Sequence, residues 1–359
     1  MICDDLRTTN ELMDAALANH LAGRYGSARS FYTQVLAREP DNAVAHMNLG
    51  TVLLTLGEFE AGWREFSWRR RLQSNQLPVW DGTQLDGKGL LVRGEQGAGD
   101  NIQFMRYLPM VSAMGGQVSA LTLPGMKRLF SSMSERATIL EPGDHADGLH
   151  VEIPIMDLPG ILGTTLDSIP APIPYLRAEP ELAENWRLRL GPAEGLRIGL
   201  CWQGNSDTPR DELRSVPLHR FAPLMSVPGT EWFGLQVGSG EDQVSSFNAP
   251  GSFVHLGPHL RGGPDKFIND AAVMEQLDLV ISVDTSVAHL AGAMGKPVWI
   301  LLAREADWRW MLERQDTPWY PTARLFRQTV SGDWKVPISE MTSALATEVN
   351  RRHQAINPH

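Results

Sequence analysis

Residues 278–302, DLVISVDTSVAHLAGAMGKPVWILL, constrain the fold of this chain more than any other segment. Two apolar runs, LVISV and VWILL, flank a polar break and a stretch of small residues that has the pattern of a short helix. Continuous apolar runs of this length are typical of strands buried on both faces of a parallel sheet, and helices connect such strands. The segment therefore predicts a strand, a helix and a strand within an α/β domain.

The polar break falls where the first strand gives way to the helix. Asp284 ends the strand, and a hydroxyl from Thr285 or Ser286 is expected to cap the helix. The first N–H groups of a helix have no internal partner and the helix dipole makes this end partly positive, which suits a phosphate or diphosphate. His289 lies one turn further on and can face the same anion. A plain helix cap with a core histidine is the structural alternative.

Strand and helix patterns form two α/β halves. The first half has predicted strands at 90–92, 117–123, in ATILEP and in GLHVEI, and a predicted helix at 101–114. The second half adds strands in LRIGLCWQG, EWFGLQVG and SFVHLG, a helix in INDAAVMEQLD, the 278–302 segment and a closing amphipathic helix. Alternating strands and helices imply parallel sheets. A ligand is expected in the cleft between the halves, outside the carboxyl ends of the strands.

The front of the chain carries a repeat. Residues 9–42 and 43–76 are similar at a spacing of 34, with Gly23 matching Gly57. The period and the stretch AREPDNAVAHMNLGTVLLTLGEFEAG resemble the tetratricopeptide repeat (TPR), a helix pair. Two repeats are fewer than an independent array needs, so the region is expected to dock on the rest of the chain, to bind a protein partner, or both. The basic run Ser67–Leu72 is expected to be a solvated or interdomain face.

These patterns predict three domains: helical repeats at 1–75, a first α/β domain at 76–185 and a second at 186–359. The 359 residues are enough for two or three cores. With 42 acidic and 32 basic residues the net charge is −10, which argues against a general nucleic-acid or membrane-surface binder.

The cysteines and the chain start indicate a cytoplasmic protein. Cys3 and Cys201 are the only cysteines and have no metal-ligand spacing, which fits a reducing compartment and no bound metal. The first residues lack the basic charge of a signal peptide, and no apolar run reaches the length of a membrane span. No cofactor is expected.

A glycine-rich turn, RGEQGAGDNIQF at 93–104, completes a second motif, a loop that ends in Gly-Asp ahead of a helix. With the 278–302 segment it resembles the two signatures of glycosyltransferase family 9, the heptosyltransferase-like enzymes. Their GT-B fold has two facing Rossmann-like domains. GEQGAGDNIQFMRYLP, RSVPL and DWRWMLERQDTPWYP are similar to stretches of bacterial proteins that place TPR repeats before such a domain. The resemblance covers roughly residues 9–330.

The resemblance implies an inverting, metal-independent glycosyltransferase that uses a nucleotide-sugar donor and a protein or glycan acceptor, with the repeats recruiting the acceptor or a partner. It assigns the general base to Asp100, which would accept the proton of the attacking hydroxyl. Helix capping is the structural alternative for Asp100. Gly97, Gly99 and Asn101 would lie in the acceptor-side loop, where glycines let a substrate approach the backbone closely.

The donor side would be built from the second half. Thr285, Ser286 and His289, with the helix end, would stabilise the departing diphosphate, and Asp284 would orient the turn or meet a donor hydroxyl. Arg214 would pair with phosphate oxygens, and Gln203 lies at the cleft edge.

The remaining polar and aromatic residues of the second half have structural explanations. The pair Asn269–Asp270 has the pattern of a helix cap. The aromatic stretch at 307–321 is more typical of packing than of base stacking, with Trp308 left open.

Two other functions fit these patterns less well. In one, the repeats bind a partner and the α/β body is a degenerate, non-catalytic scaffold. In the other, the protein is a nucleotide-sugar epimerase of the GT-B type, although the Gly-Asp loop and the repeats fit that function poorly.

Overall fold

The computed structural model describes residues 7–356, so Cys3 lies outside the described residues. The described part of the chain starts with four helices in antiparallel pairs: α1 Thr9–Leu21, α2 Tyr25–Arg38, α3 Ala43–Thr55 and α4 Phe59–Phe66. A 3-10 segment, Ser67–Leu72, follows. Gly23 and Gly57 both have positive φ, at 68° and 80°, and end the first helix of each pair. The predicted 34-residue repeat is therefore present.

The first sheet has four parallel strands: β1 Gly89–Arg93, β2 Gln117–Leu121, β3 Thr138–Leu140 and β4 Leu149–Pro154. Their order is β3-β2-β1-β4. Its helices are short: α5 Ala98–Phe104, α6 Leu108–Ser112 and α7 Leu158–Ile161.

The predicted continuous helix at 101–114 is wrong. The chain forms α5, a 3-10 turn at Met105–Tyr107 and α6 in its place. Pro109 explains the break, because it has no N–H to donate to the carbonyl of Met105 and its ring crowds that carbonyl. The apolar side chains expected on one face are nevertheless buried, so the pattern identified the core face correctly.

The second sheet has six parallel strands: β5 Leu196–Cys201, β6 Thr230–Gly234, β7 Phe253–His255, β8 Leu279–Val283, β9 Val298–Leu302 and β10 Ala323–Arg327. Their order is β10-β9-β8-β5-β6-β7. Its helices are α8 Pro180–Leu190, α9 Asp211–Arg214, α10 Ala222–Met225, α11 Gly257–Leu260, α12 Ile268–Met274, α13 Ser286–Ala293 and α14 Lys335–Ile356. The edge strand β10 was not predicted, because ARLFR interrupts its apolar residues with charge.

Helix α8 lies across the predicted domain limit between 185 and 186. Its Trp186 donates from Nε1 to Asn269 Oδ1 at 3.0 Å, so the helix packs against α12 of the second half. We propose that the second α/β unit includes α8 and that the first ends before it.

Aromatic side chains join the three parts of the molecule. Trp63 of α4 meets Trp308 edge to face at 5.3 Å between ring centroids, and its Nε1 donates to Thr164 O at 3.0 Å. Phe104 of α5 packs against Trp308 and Trp319 at 6.4 and 5.9 Å. The repeats are therefore docked on both α/β halves. Among the described helices, none combines the length and hydropathy needed to cross a membrane.

Candidate functional site

The loops after β1 and β8 meet between the two sheets. β1 leads through the glycine-rich turn into α5, and β8 leads through Asp284 and Thr285 into α13. A Cβ placed on Gly99 would lie 2.7 Å from Cδ2 of His289 and 3.5 Å from Cα of Ser286. Only glycine permits this approach, and it brings the two predicted motifs into contact.

A cavity of about 520 Å³, here called the cleft cavity, opens between these loops. It is lined by the residues Gln96, Gly97, Ala98, Gly99, Asp100, Gly204, Asn205, Thr208, Arg214, Asp284, Thr285, Ser286, His289, Asp307 and Arg309. Most of the predicted site residues thus lie around one cavity, although they come from opposite sheets. Gln203 and Asn101 do not line it.

The start of α13 differs from the expected cap. Thr285 is the N-cap residue, but its hydroxyl makes no capping hydrogen bond. It contacts the Ser282 hydroxyl at 3.0 Å and the Cys201 thiol at 3.8 Å instead. The capping prediction is therefore wrong, because the hydroxyl is drawn back to the ends of β8 and β5. The first N–H groups of α13 have no side-chain cap and can bind an external anion.

Asp100 lies at the third position of α5, not at its N-cap, which is Gly97. One carboxylate oxygen accepts the Gly97 N–H at 2.8 Å, and the other is ion-paired with Arg309. Both oxygens are therefore engaged, one within its own domain and one across the cleft.

Arg309 is the most heavily engaged of the lining residues that the sequence did not reveal, and its partner Asp307 is another. The Arg309 guanidinium is almost completely buried and donates from Nε to Gln103 Oε1 at 2.6 Å and from Nη1 to Asp307 Oδ1 at 2.8 Å. Its charge also lies over the Trp308 ring, 4.4 Å from the centroid. The only signal was its place within an aromatic stretch, which indicated packing.

Asp284 and Arg214 line the cleft cavity beside the start of α13. Arg214 donates from Nη1 to the backbone oxygen of Asp284 at 2.9 Å and from Nε to Asp211 Oδ1 at 2.8 Å. Burial and, to a smaller extent, the nearby Asp307 carboxylate raise the pKa of Asp284 to about 6, against the opposing charges of Arg214 and Arg309. The pair can therefore present a positive guanidinium and a partly protonated acid to a ligand.

His289 is a neutral member of the cavity wall. Burial, reinforced by the positive charges of Arg309, Arg106 and Arg214, holds its pKa well below the ordinary value. Its Nδ1 shares a hydrogen bond with the Tyr320 hydroxyl at 2.8 Å. The ring can therefore offer a neutral hydrogen-bonding edge to the cavity, but no charge.

Asn101 and Gln203 shape loops. Asn101 is buried and donates from Nδ2 to Glu95 O at 2.9 Å and Gly97 O at 2.7 Å, which holds the glycine-rich turn together. The side-chain oxygen of Gln203 accepts from Gln243 Nε2 at 3.1 Å. Trp308 is buried in the aromatic cluster and therefore packs between the parts of the molecule.

Two further cavities border the cleft cavity. The side cavity, of about 540 Å³, shares Gly204, Asn205, Thr285 and Ser286 with it and extends between the loops after β5, β6 and β7 towards α12. The repeat cavity, of about 280 Å³, shares Thr208, Arg214, Asp284 and Asp307 with it and reaches the TPR helices. Within residues 7–356, no group of three His, Cys, Asp or Glu side chains is arranged to hold a metal ion.

Comparisons with known proteins identify the parts of the chain. Residues 20–62 match the tetratricopeptide repeat family, which confirms the predicted repeats. Protein FlbA of Caulobacter vibrioides is 27% identical over 337 residues, covering 85% of this chain and 55% of that protein. The chain thus spans about half the length of that relative.

Solved structures share the two-sheet architecture. A glycosyl transferase family 9 protein from Veillonella parvula superposes with a TM-score of 0.52 at 11% identity, covering 76% of this chain and 100% of that one. ADP-heptose LPS heptosyltransferase II of E. coli has a TM-score of 0.47 at 13% identity, covering 72% and 99%. The superposition on the family 9 protein confirms the predicted GT-B-type fold of two α/β domains, and the repeat match confirms the helical region that precedes it.

Proposed function

We propose that this protein is an inverting glycosyltransferase that moves a sugar from a nucleotide-sugar donor to a protein or glycan acceptor. One observation carries the proposal. The uncapped start of α13 stands where the side cavity joins the cleft cavity, and the loop that holds Asp100 faces it from the other sheet. A site for an anion therefore lies between a space for a nucleoside and a space that contains a carboxylate.

The two cavities suit the two ends of the donor. The diphosphate would bind at Thr285 and Ser286, where free N–H groups and the helix dipole attract negative charge. The nucleoside would extend into the side cavity and the sugar into the cleft cavity. Volumes of about 540 and 520 Å³ fall within the range of sites for such groups.

The reaction would proceed by a single displacement. An acceptor hydroxyl attacks the anomeric carbon, the bond from that carbon to the diphosphate oxygen breaks, and Asp100 takes the hydroxyl proton. The diphosphate leaves with an added negative charge, which the α13 N–H groups and the Arg214 guanidinium would stabilise. Attack from the face opposite the leaving group inverts the anomeric carbon.

The repeat cavity offers a path for the acceptor. It joins the cleft cavity at Asp284 and Asp307 and is bordered on its far side by His20, Tyr25 and Thr51 of the repeats. An acceptor held by the TPR helices would thus reach the sugar through this opening. The docking of the repeats beside the cleft supports a role in acceptor recruitment.

A non-catalytic scaffold remains the second candidate function, because one specific observation favours it. Both carboxylate oxygens of Asp100 are already engaged, by Gly97 and by Arg309. A carboxylate held in this way accepts a proton only if one contact is released when substrates bind.

Donor binding and donor turnover separate the two functions. The wild-type protein would be titrated calorimetrically with a panel of nucleoside diphosphates and assayed for release of the diphosphate from the matching nucleotide sugars. The Asp100→Asn variant should bind the diphosphate as the wild type does, while turnover falls by roughly 10²- to 10⁴-fold. Asp147→Asn, a change of a fully exposed carboxylate, is the matched control and should alter neither quantity.

Three results would count against the proposal. Wild-type binding of a diphosphate without any turnover, alone or with an acceptor-containing lysate, would support the scaffold. Turnover by Asp100→Asn at the wild-type rate would remove the general-base assignment. If the wild-type protein binds none of the nucleoside diphosphates, it has no donor site.

A further inference from the structure

Asp100 is held in place from across the cleft. Its helix α5 belongs to the first half, whereas Arg309 lies in the 3-10 turn Trp308–Trp310 after β9 of the second half. The guanidinium is ion-paired with one Asp100 oxygen and donates from Nε to Gln103 Oε1 at 2.6 Å, so it binds two side chains of α5 at once. A planar guanidinium that makes two such contacts fixes the position and the orientation of the carboxylate.

The Arg309 side chain has little freedom of its own. It is 7% exposed, and the ring of Trp308 lies against its charge. Asp307 accepts a hydrogen bond from the backbone N–H of Arg309 at 3.1 Å and another from its Nη1 at 2.8 Å. Because packing and hydrogen bonds hold the guanidinium, its position in turn determines where the Asp100 carboxylate lies.

The guanidinium stays paired when Asp100 is protonated. Arg309 faces two carboxylates, those of Asp100 and Asp307, so Asp307 still balances the buried positive charge once Asp100 is neutral. The other Asp100 oxygen accepts the Gly97 N–H at 2.8 Å in an exposed position, where water or an acceptor hydroxyl can replace that contact. This second oxygen is therefore the one that can take up a proton.

We propose that Arg309 is a positioning residue for the general base. It holds the Asp100 carboxylate across the cleft, and Asp307 balances its charge when Asp100 takes the proton of the acceptor hydroxyl. This inference rests on the proposed function, since it assigns a role towards Asp100 in the transfer reaction. One member of the ion pair comes from each half, so the base is in place only when the two halves lie together.

Arg309 itself neither gives nor takes a proton in the transfer. The acceptor O–H bond breaks as its oxygen bonds to the anomeric carbon, and the proton goes to the Asp100 oxygen that Gly97 releases. The electron pair of the bond between the anomeric carbon and the diphosphate oxygen leaves with the diphosphate. An effect of Arg309 on this step must therefore pass through Asp100, and this can be measured.

The experiment is a double-mutant cycle on turnover of the nucleotide sugar, with diphosphate affinity measured by calorimetry on the same four proteins. Arg309→Gln should lower kcat by roughly 10- to 100-fold in the otherwise wild-type protein, because a misplaced catalytic group loses about this much. In the Asp100→Asn background the same change should lower the residual kcat by less than about twofold. Diphosphate affinity should be the same in all four proteins, because the donor site is intact in each.

Two further variants test the charge and the geometry separately. Arg309→Lys keeps the buried charge and so protects the fold, but one ammonium cannot bridge Asp100, Gln103 and Asp307 as the fork does. Its kcat should lie between those of the wild type and Arg309→Gln, and it replaces Arg309→Gln in the cycle if that variant does not fold. Asp307→Asn should lower kcat by less than Arg309→Gln, because the Asp307 carboxylate is 39% exposed and water replaces part of its charge.

Arg314→Gln is the matched control. Arg314 lies in the same aromatic stretch and is also paired with an aspartate, Asp316, but it does not line the cleft cavity. This change should leave kcat and diphosphate affinity at their wild-type values.

The outcomes separate this inference from the function on which it rests. If the wild type shows no turnover, the proposed function fails and the inference fails with it. If Asp100→Asn abolishes turnover while Arg309→Gln keeps the wild-type kcat, the function stands and the positioning role is wrong. Equal losses from Arg309→Gln in both backgrounds, or a loss of diphosphate affinity alone, would show that Arg309 acts without Asp100. An unchanged kcat in Asp307→Asn would remove the charge-balancing role of Asp307.

Discussion

Two buried acids, Asp270 and Asp284, lower the stability of the fold at neutral pH. Burial raises their pKa values to about 7 and about 6, from an ordinary 3.8. As pH rises above the ordinary value, the unfolded chain releases these protons while the folded chain keeps them, so the free energy of unfolding falls until the folded pKa is passed. The cost is absent in acid and largest above pH 7, which is the reverse of an ion-paired carboxylate.

This behaviour predicts a stabilising substitution. Asp270→Asn removes the titration, so its free energy of unfolding should exceed that of the wild type, with a margin that grows by about 2 kcal/mol between pH 5 and pH 8. Urea denaturation at both pH values measures the margin. The exposed Asp14→Asn should show a difference of less than about 0.5 kcal/mol at either pH. A margin that is independent of pH would contradict the raised pKa.

At the scale of elements, the segment Ser67–Leu72 fastens the repeats to the first sheet. The Arg69 side chain is buried and ion-paired with Glu95, which follows β1, and with Asp157, which follows β4. The expected interdomain face is therefore a buried charge cluster. The next two arginines along the chain are less buried. Arg70 is partly exposed, and Arg71 lies on the surface, where it is paired with Asp41.

The contrast between Arg69 and Arg71 can be tested directly. Arg69→Ala leaves two buried carboxylates short of a partner and should lower the free energy of unfolding by about 3–5 kcal/mol. Arg71→Ala removes an exposed ion pair and should cost less than about 1 kcal/mol. Chemical denaturation of both variants provides the comparison, and equal losses would show that the buried cluster does not fasten the repeats.

At the scale of the whole molecule, the three parts share one aromatic cluster. Trp63 of the repeats, Phe104 of the first α/β half and Trp308 and Trp319 of the second meet there. Arg106 of the first half also donates to the Trp319 carbonyl of the second at 2.6 Å. The repeats are therefore part of the same cooperative structure as the cleft, and unfolding of one part should expose the cores of the others.

Trp63→Ala should make the three parts unfold separately. Removal of a buried tryptophan costs about 3–5 kcal/mol, and here the loss falls on the junction of the three parts. We expect helical circular dichroism and tryptophan fluorescence to report one coincident transition in the wild type and separate transitions in the variant. Trp68→Ala is the control, because Trp68 is only partly buried and stacks on His46 within the repeats. Coincident transitions in both variants would show that the junction does not couple the parts.

The sequence by itself determined most of the local elements and the two loops that line the cleft cavity. A 34-residue period predicted the helix pairs, and apolar runs separated by turn residues predicted nine of the ten strands within residues 7–356, because these signals depend on neighbours along the chain. Among these strands only β10 was not predicted, because two arginines interrupt its apolar residues. Gly99 and the polar break at Asp284 marked the two loops that meet, because a cleft between two α/β halves is lined by the loops at the carboxyl ends of the strands of both halves.

Only the tertiary structure decided which groups those residues meet. Arg309 lies 209 residues from Asp100, and nothing in the local pattern of either indicated the other. The sequence predicted that the Thr285 hydroxyl would cap α13, but in the structure it contacts the Ser282 hydroxyl. Asp270 had the pattern of a cap, yet it is buried beside a cavity and its carboxyl bonds to no other residue within 7–356. Periodicity reports which face of an element is buried, whereas the partner of a charge depends on how distant elements pack.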